Sequence, residues 1–90
     1  MDTGDQDLAK SAAQGDAASF KALLERHYET VYAVAYRYSG QREDAEDIAQ
    51  DVCLSLATKL RSYRGEARFT TWLYRVAVNA AHDRRRRAAS

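Results

Sequence analysis

The stretch DAEDIAQDVCLSLATKL, residues 44–60, decides the fold. Its apolar residues recur at steps of three or four, which is the spacing of one face of an α-helix. They are Ala45, Ile48, Ala49, Val52, Cys53, Leu56 and Leu60. The chain has no proline and only four glycines, so little interrupts helices on either side of this stretch. We therefore predict an all-α fold, a compact bundle of three to four helices.

The same spacing predicts the other helices. A short first helix falls within residues 1–15, and the main helices cover 16–39, 44–61 and 69–87, with Asp16 and Asp44 as N-caps. Gly15 and Gly40 are natural stops. In the second helix the apolar stripe comprises Phe20, Leu23, Leu24, Tyr28, Val31, Ala35 and Tyr38. In the fourth it comprises Phe69, Trp72, Leu73, Val76, Ala77 and Ala80.

Length and composition bound the class of protein. The 90 residues suffice for one small domain. A single cysteine, Cys53, cannot form an internal disulfide, which fits a reducing compartment, and its position favours a small buried side chain over a redox site. The N-terminus is acidic and polar, unlike a secretory signal, and no apolar stretch is long enough to span a membrane. We expect a cytoplasmic protein without membrane insertion.

Charge is divided unequally along the chain. Residues 59–90 hold nine Lys and Arg against two acids, whereas residues 1–58 hold five against eleven. The basic part is also rich in aromatic residues, namely Tyr63, Phe69, Trp72 and Tyr74. Phosphates attract such a segment whatever their base sequence, and aromatic rings offer faces on which unpaired bases stack. The division suggests two different partners.

The third helix carries a second surface. At about 100° per residue, Asp47, Gln50, Asp51 and Leu54 fall on one stripe, roughly opposite the buried side. We call this set the acidic strip. Carboxylates that flank an exposed leucine suit a basic partner helix. The alternative is an ordinary solvated face, because acids near a helix N-terminus stabilise the helix dipole by themselves.

The fourth helix also has a polar side. Thr71, Arg75, Asn79, His82 and Arg86 lie near one stripe, where arginines can meet phosphates and the amide can contact a base edge. The preceding loop, residues 62–68, is short and basic, with candidate binding residues Tyr63, Arg64, Gly65 and Arg68. Each feature has a plainer interpretation. Trp72 fits a core aromatic equally well, and residues 84–87 fit a solvated helix end.

Catalytic patterns are missing from the sequence. His27 and His82 are isolated, no His/Cys/Asp cluster has metal-ligand spacing, and no glycine-rich loop is suited to cradle phosphate. The acidic residues lack an apolar setting that would tune one of them as a general acid. We therefore expect no enzyme, no metal and no cofactor.

Two strings in fixed order resemble a known family. They are DAEDIAQDVCLSL at residues 44–56 and SYRGEARFTTWLYRVAVNAAHDRRRR at residues 62–87. The stretch FKALLERHYETVYAVAYRYSG, residues 20–40, is similar to an earlier part of the same family. Together they resemble the second conserved region of bacterial sigma factors of the extracytoplasmic-function (ECF) group. The resemblance covers nearly the whole chain.

The resemblance implies a role for each surface. In this family the acidic helix docks on the coiled coil of the β′ clamp of RNA polymerase core, which implicates Asp47, Gln50, Asp51 and Leu54. The loop holds a flipped base of the non-template strand of the −10 promoter element, which implicates Tyr63, Arg64, Gly65 and Phe69, with Arg75 and Asn79 as neighbours. Trp72 matches the family's tryptophan position. An anti-sigma protein is a further expected partner.

One departure and two alternatives accompany the resemblance. Family members carry a second helical domain, region 4, that this chain does not show, so we expect either an excised domain or a short relative. A stand-alone helical nucleic-acid-binding module would share the basic aromatic part without needing the acidic strip. A module that mainly binds an anti-sigma protein would use both surfaces and bind no promoter strand.

Overall fold

The described part of the chain folds into four α-helices, with one 3₁₀ turn between the third and the fourth. In the computed structural model, residues 4–89 are described, with side chains for residues 4–87; residues 1–3 of the predicted first helical segment lie outside this range. The helices are α1 (Asp5–Ala13), α2 (Ala17–Ser39), α3 (Arg42–Lys59) and α4 (Phe69–Ala89), and the 3₁₀ turn is Leu60–Ser62. The described residues contain no strand. The all-α prediction is confirmed.

The ends of α2 follow from local chemistry. The Asp16 carboxylate accepts hydrogen bonds from the backbone N–H of Ala18 at 3.2 Å and from the Ser19 hydroxyl at 2.7 Å. Asp16 is thus the predicted N-cap. At the other end Gly40 takes φ +70°, and its N–H donates to the Tyr36 carbonyl at 2.8 Å. A residue without a Cβ enters this left-handed region at little cost, which explains why the helix stops there.

The start of α3 corrects one prediction. The helix begins at Arg42 with Gln41 in the capping position, so the assignment of Asp44 as N-cap was wrong. Asp44 lies instead in the first turn beside Glu43, where carboxylates favour the positive end of the helix dipole. At the other end α3 tightens into the 3₁₀ turn, which leads directly into the 62–68 loop.

The core forms around α2, which contacts each of the other three helices. The largest fully buried side chains of the core are Leu23, Ile48, Val52, Leu60, Phe69 and Leu73. Most predicted core positions are buried, but Tyr28 is exposed and six others are only partly buried: Phe20, Leu24, Tyr38, Cys53, Trp72 and Ala80. Tyr28 is 42% exposed, because it faces the open groove between α2 and α3 and His27 turns inward instead. Ala80 is only partly covered, and its neighbour Ala81 takes the buried position in α4.

The first helix docks on α2 through both apolar and charged contacts. Leu8 and Ala9 are buried against the core. Asp5 Oδ1 lies 3.0 Å from Nη1 of Arg26 and 2.9 Å from Nε2 of His27. Burial alone raises the pKa of Asp5, but the His27 and Arg26 side chains outweigh burial and hold the pKa below its ordinary value. Docking of α1 brings its N-terminal turn close to the 62–68 loop.

Candidate functional site

The 62–68 loop is a closed turn held by its own side chains. The Ser62 hydroxyl donates to the Lys59 carbonyl at 2.7 Å, and the Tyr63 hydroxyl donates to the Ala67 carbonyl at 2.5 Å. Gly65, at the tip, has φ +77°, a conformation that other residues rarely adopt. The chain therefore reverses within a few residues while keeping a defined shape.

An aromatic cluster packs the loop against the start of α4. The Tyr63 ring lies with its centroid 5.9 Å from that of Phe69 and 5.0 Å from that of Trp72. Phe69 is only 2% exposed and also packs on His27 at 5.4 Å. The structure thus corrects one predicted role, because the Phe69 ring belongs to the core and presents no face to a base. Tyr63 and Trp72 are half-buried and retain accessible surface.

Gln6, on α1, reaches the loop from the opposite end of the sequence. Its Nε2 donates to the Tyr63 hydroxyl at 3.1 Å and lies 3.5 Å from the Gly65 carbonyl oxygen. Sequence reasoning missed this residue, because an exposed glutamine in a short polar helix carries no periodic signal. The first helix is therefore a support for the loop.

A small cavity opens between the loop and the start of α4. Its volume is about 170 Å³, and its lining comprises Ser62, Tyr63, Arg64, Glu66, Ala67, Trp72 and Arg75. Two aromatic rings form part of its wall, and two guanidinium groups lie among the lining residues. Four of the predicted binding residues, Tyr63, Arg64, Trp72 and Arg75, thus meet at one place. Aromatic side chains beside guanidinium groups are the combination that lets a base stack while its phosphate meets a positive charge.

The exposed side of α4 extends this site. Thr71, Arg75, Asn79 and Arg86 are all solvent-exposed, as are Arg64, Gly65 and Arg68 in the loop. Because 3.6 residues make one turn, these α4 positions follow one stripe along the helix, which we call the basic face. Arg86 is ion-paired with Asp83 one turn before it. The basic face offers donors to a phosphate backbone.

The acidic strip lies on α3, and all four of its residues are exposed. Leu54 is 73% exposed, more than any other large apolar side chain of the described residues. Beside the strip runs an open groove of about 820 Å³ between α2 and α3, lined by Tyr28, Glu29, Tyr32, Arg42, Glu46, Asp47, Gln50 and Cys53. Burial raises the pKa of the Cys53 thiol, which disfavours the reactive thiolate. The surface combines carboxylates with apolar area.

Sequence reasoning missed the tyrosines that border this groove. Tyr28 and Tyr32 line the groove, and Tyr36 continues their row along α2, with 6.5 and 6.3 Å between the centroids of successive rings. Their spacing of four residues was a usable signal, but the helical pattern assigned Tyr28 to the core. Tyr28 is 42% exposed, so the α2 side of the groove adds aromatic surface opposite the carboxylates of α3.

The acidic strip contacts the basic end of α4. Nη2 of Arg84 lies 3.0 Å from Asp47 Oδ2 and 3.2 Å from Asp44 Oδ1, and Nη2 of Arg87 lies 3.9 Å from Asp51 Oδ2. Arg84 follows Arg75 by nine residues, which is half a turn around the helix axis. The four consecutive arginines, residues 84–87, therefore point in different directions. Arg86 lies on the basic face, and Arg84 is directed towards α3.

No helix in the described part of the chain is long and apolar enough to cross a membrane. Among the same residues, no group of three or more histidine, cysteine, aspartate or glutamate side chains is arranged to hold a metal ion.

Solved structures share this architecture. The chain is similar to an engineered region 2 of sigmaE, determined by NMR in complex with GTAAAA, with a TM-score of 0.79 and 34% identity over 90% of this chain and 84% of that one. It is also similar to CnrH in complex with the cytosolic domain of CnrY, with a TM-score of 0.78 and 28% identity over 88% of this chain and 51% of that one.

Sequence relatives agree with the structural ones. The ECF RNA polymerase sigma-E factor of Haemophilus influenzae is 39% identical over 79 residues, which are 88% of this chain and 41% of that protein. The ECF RNA polymerase sigma factor SigM of Mycobacterium tuberculosis is 38% identical over 84 residues, 93% of this chain and 43% of that protein. The chain thus spans about two-fifths of the length of these relatives. The family described as Sigma-70 region 2 matches residues 23–90, and the chain belongs to that family, within its ECF group.

Proposed function

We propose that this domain is the part of an ECF sigma factor that recognises and melts the −10 promoter element in the bacterial cytoplasm. The cavity beside the 62–68 loop would hold one extruded base of the non-template strand, with Tyr63 and Trp72 against it. Arg64, Arg68, Thr71, Arg75, Asn79 and Arg86 would follow the same strand. The observation that carries the proposal is this cavity, which combines aromatic walls with guanidinium groups in a chain of the Sigma-70 region 2 family.

The energetics of stacking support base capture without ATP. Extruding a base costs a few kcal/mol, and stacking on an aromatic side chain returns about 1–3 kcal/mol per base. Phosphate contacts along the basic face add affinity that does not depend on base identity. A few such contacts are therefore enough to favour an open strand once the domain is held at the promoter. No covalent step is needed, so we propose a non-enzymatic role.

The holding partner in this proposal is RNA polymerase core. The acidic strip would dock on the coiled coil of the β′ clamp, with Asp47 and Asp51 facing basic side chains and Leu54 packed against apolar ones. Exposed Leu54 beside carboxylates supports such a partner, because a purely solvated face gains nothing from an exposed leucine. The sequence relatives from Haemophilus influenzae and Mycobacterium tuberculosis are RNA polymerase sigma factors, which favours the same partner.

One experiment tests base capture. Short single-stranded oligonucleotides that differ at one position are titrated into the domain at low and high salt, and binding is followed by fluorescence anisotropy. A base pocket gives a sequence preference that survives at high salt, because stacking and base contacts are not screened. Binding that is lost equally for all sequences would leave only phosphate attraction and would refute capture.

A second experiment tests the division of labour between the two surfaces. Asp51→Arg should weaken binding to polymerase core at least tenfold, about 1.4 kcal/mol, because it places a like charge against a basic partner, and should leave oligonucleotide binding largely intact. Asp7→Arg, which makes the same charge change on α1, is the matched control. Equal loss of both activities in a folded Asp51→Arg protein would contradict separate surfaces.

An anti-sigma protein is a second proposed partner. The likeness to CnrH, which was solved with the cytosolic domain of CnrY, favours a protein partner for this fold besides polymerase. Such an inhibitor would compete with core for the α2 and α3 surface. If the domain were mainly an anti-sigma-binding module, it would fail to bind any promoter strand at any salt concentration, and the titration above would show this.

A further inference from the structure

Carboxylates of the acidic strip already have basic partners within the chain. Arg84 bridges Asp44 and Asp47 with one terminal nitrogen, at 3.2 and 3.0 Å, and Arg87 approaches Asp51 at 3.9 Å. Arg84 is 35% exposed, whereas Arg87 and Asp51 are 72% and 51% exposed, so water screens the pairs of Arg84 less than the pair of Arg87 with Asp51. The two carboxylates of the strip and the neighbouring Asp44 thus face two guanidinium groups, which leaves one excess negative charge among these five side chains. A strip described as acidic from its sequence is therefore nearly neutral in the folded chain.

We propose that Arg84 and Arg87 mask the acidic strip in the free domain, and that a basic partner must displace them in order to dock. The inference rests on the proposed function, in which that partner is the coiled coil of RNA polymerase core. A partner's Arg or Lys would seek the same carboxylate oxygens that Arg84 occupies. Docking is thus an exchange of ion pairs, and the internal pairs lower its affinity.

The surroundings of Arg84 allow this exchange without unfolding α4. An open cavity of about 590 Å³ borders the pairs, and Arg84, Arg85 and Arg87 line it together with Tyr38 and Ser39. The Arg84 side chain therefore has room to leave Asp44 and Asp47 by rotating about its own stem. Exposed ion pairs contribute little individually, so the expected masking is modest.

The test compares two neighbouring arginines. Arg84→Ala removes the bridging guanidinium, whereas Arg85→Ala removes the same charge from an exposed residue that makes no ion pair in the described part of the chain. Binding of each labelled domain to purified polymerase core is measured by anisotropy at low and high salt. We expect Arg84→Ala to bind about two- to fivefold more tightly than wild type, and Arg85→Ala to bind like wild type. The gain should shrink at high salt.

A second variant and a second measurement keep the test decisive. Arg84→Gln also removes the charge but keeps part of the aliphatic side chain. It replaces Arg84→Ala in the binding comparison if Arg84→Ala does not fold. A double-mutant cycle of Arg84→Ala with Asp47→Asn in urea unfolding reports the ion pair without any polymerase. Coupling between the two changes supports the pair, and additive effects overturn the inference.

The outcomes separate this inference from the proposed function. Tight binding of wild type, with Arg84→Ala no tighter than Arg85→Ala, would overturn masking and leave polymerase docking intact. Weaker binding of Arg84→Ala would also overturn it, since Arg84 would then orient the carboxylates for the partner. Failure of wild type and Arg84→Ala alike to bind core would overturn docking itself, and masking of that surface with it. Binding by Arg84→Ala alone would support masking most strongly.

Discussion

Tyr63 shows how one side chain defines the candidate site. Its ring forms a wall of the 170 Å³ cavity, while its hydroxyl donates to the Ala67 carbonyl and accepts from Gln6. The ring alone would suffice for stacking on a base, so the hydroxyl has a separate task. It closes the 62–68 loop and ties the loop to α1. At this scale, contact with the base and support of the loop are separable by mutation.

Tyr63→Phe tests that separation. The change keeps the ring and removes two hydrogen bonds, so we expect a loss of stability of about 1 kcal/mol and a weaker preference among oligonucleotide sequences, with phosphate-driven affinity retained. Urea unfolding and anisotropy titrations measure the two effects. Tyr36→Phe, on the exposed side of α2, is the control and should change neither. An unaltered sequence preference in a folded Tyr63→Phe protein would contradict the proposed support.

Asp16 makes stability depend on pH. The hydrogen bond from the Ser19 hydroxyl, which outweighs slight desolvation, holds the pKa of Asp16 below its ordinary value of 3.8, and the Ala18 N–H acts in the same direction. A carboxyl with a lower pKa when folded stabilises the fold above its unfolded pKa. This contribution is lost as pH falls through the folded value.

We therefore expect stability to decline as pH falls below about 4, and to decline less steeply in Asp16→Asn, which caps the helix without titrating. Urea midpoints followed by circular dichroism from about pH 5 to about pH 2 measure this. Asp5, whose pKa is also held down, keeps some pH dependence in the variant. Identical pH profiles of the two proteins would refute the role of Asp16.

At the scale of elements, short breaks set the angles between the helices. The connection from α2 to α3 is only Gly40 and Gln41, and it reverses the chain so that the tyrosines of α2 face the acidic strip of α3. Gly40 makes this possible through its φ of +70°. The groove between the two helices therefore depends on a single backbone conformation.

Gly40→Ala should destabilise the domain by about 1–2 kcal/mol, because a Cβ is strained in the left-handed region even though space around Gly40 is open. Gly4→Ala is the control, since Gly4 has φ −67° and equally open space; Gly4 is the N-cap of α1, so this change should cost only the smaller penalty of a poorer cap. Thermal unfolding compares the two variants. Equal melting temperatures for both would show that the turn tolerates a side chain, contrary to this prediction.

At the scale of the whole molecule, both proposed binding surfaces are supported by the same hydrophobic core. Phe69 begins α4, packs on His27 of α2 and lies beneath Tyr63 and Trp72 at the loop. A 90-residue domain has limited stability, about 5–15 kcal/mol in general. Loss of this ring therefore threatens both surfaces at once, although it contacts neither partner in our proposal.

Phe69→Ala should cost about 3–5 kcal/mol and weaken oligonucleotide and polymerase binding together. Arg75→Ala, on the exposed basic face, should weaken oligonucleotide binding alone and leave the unfolding midpoint nearly unchanged. Urea unfolding and the two binding assays distinguish these patterns. Selective loss of oligonucleotide binding in a stably folded Phe69→Ala protein would indicate that the ring does reach the base.

Local patterns sufficed to predict the helices and much of the core. The three-to-four spacing of apolar residues, the Asp16 cap and the Gly40 stop concern residues a few positions apart, so their outcome depends little on the rest of the chain. The same logic placed Asp47, Gln50, Asp51 and Leu54 together on one exposed stripe. Their roles in binding stay predictions. The helical repeat of 3.6 residues places these four side chains opposite the buried stripe of α3, so it already predicted that they are exposed.

Tertiary structure decided how distant residues meet. The bond from Gln6 to Tyr63 joins residues 57 positions apart, and the pairs from Arg84 to Asp44 and Asp47 join α4 to α3. Helical periodicity fixes which residues share a face, but not which faces of different helices come together. That choice arises from packing of the whole core. For this reason the support of the loop by α1 and the near-neutral acidic strip emerged only from the folded chain.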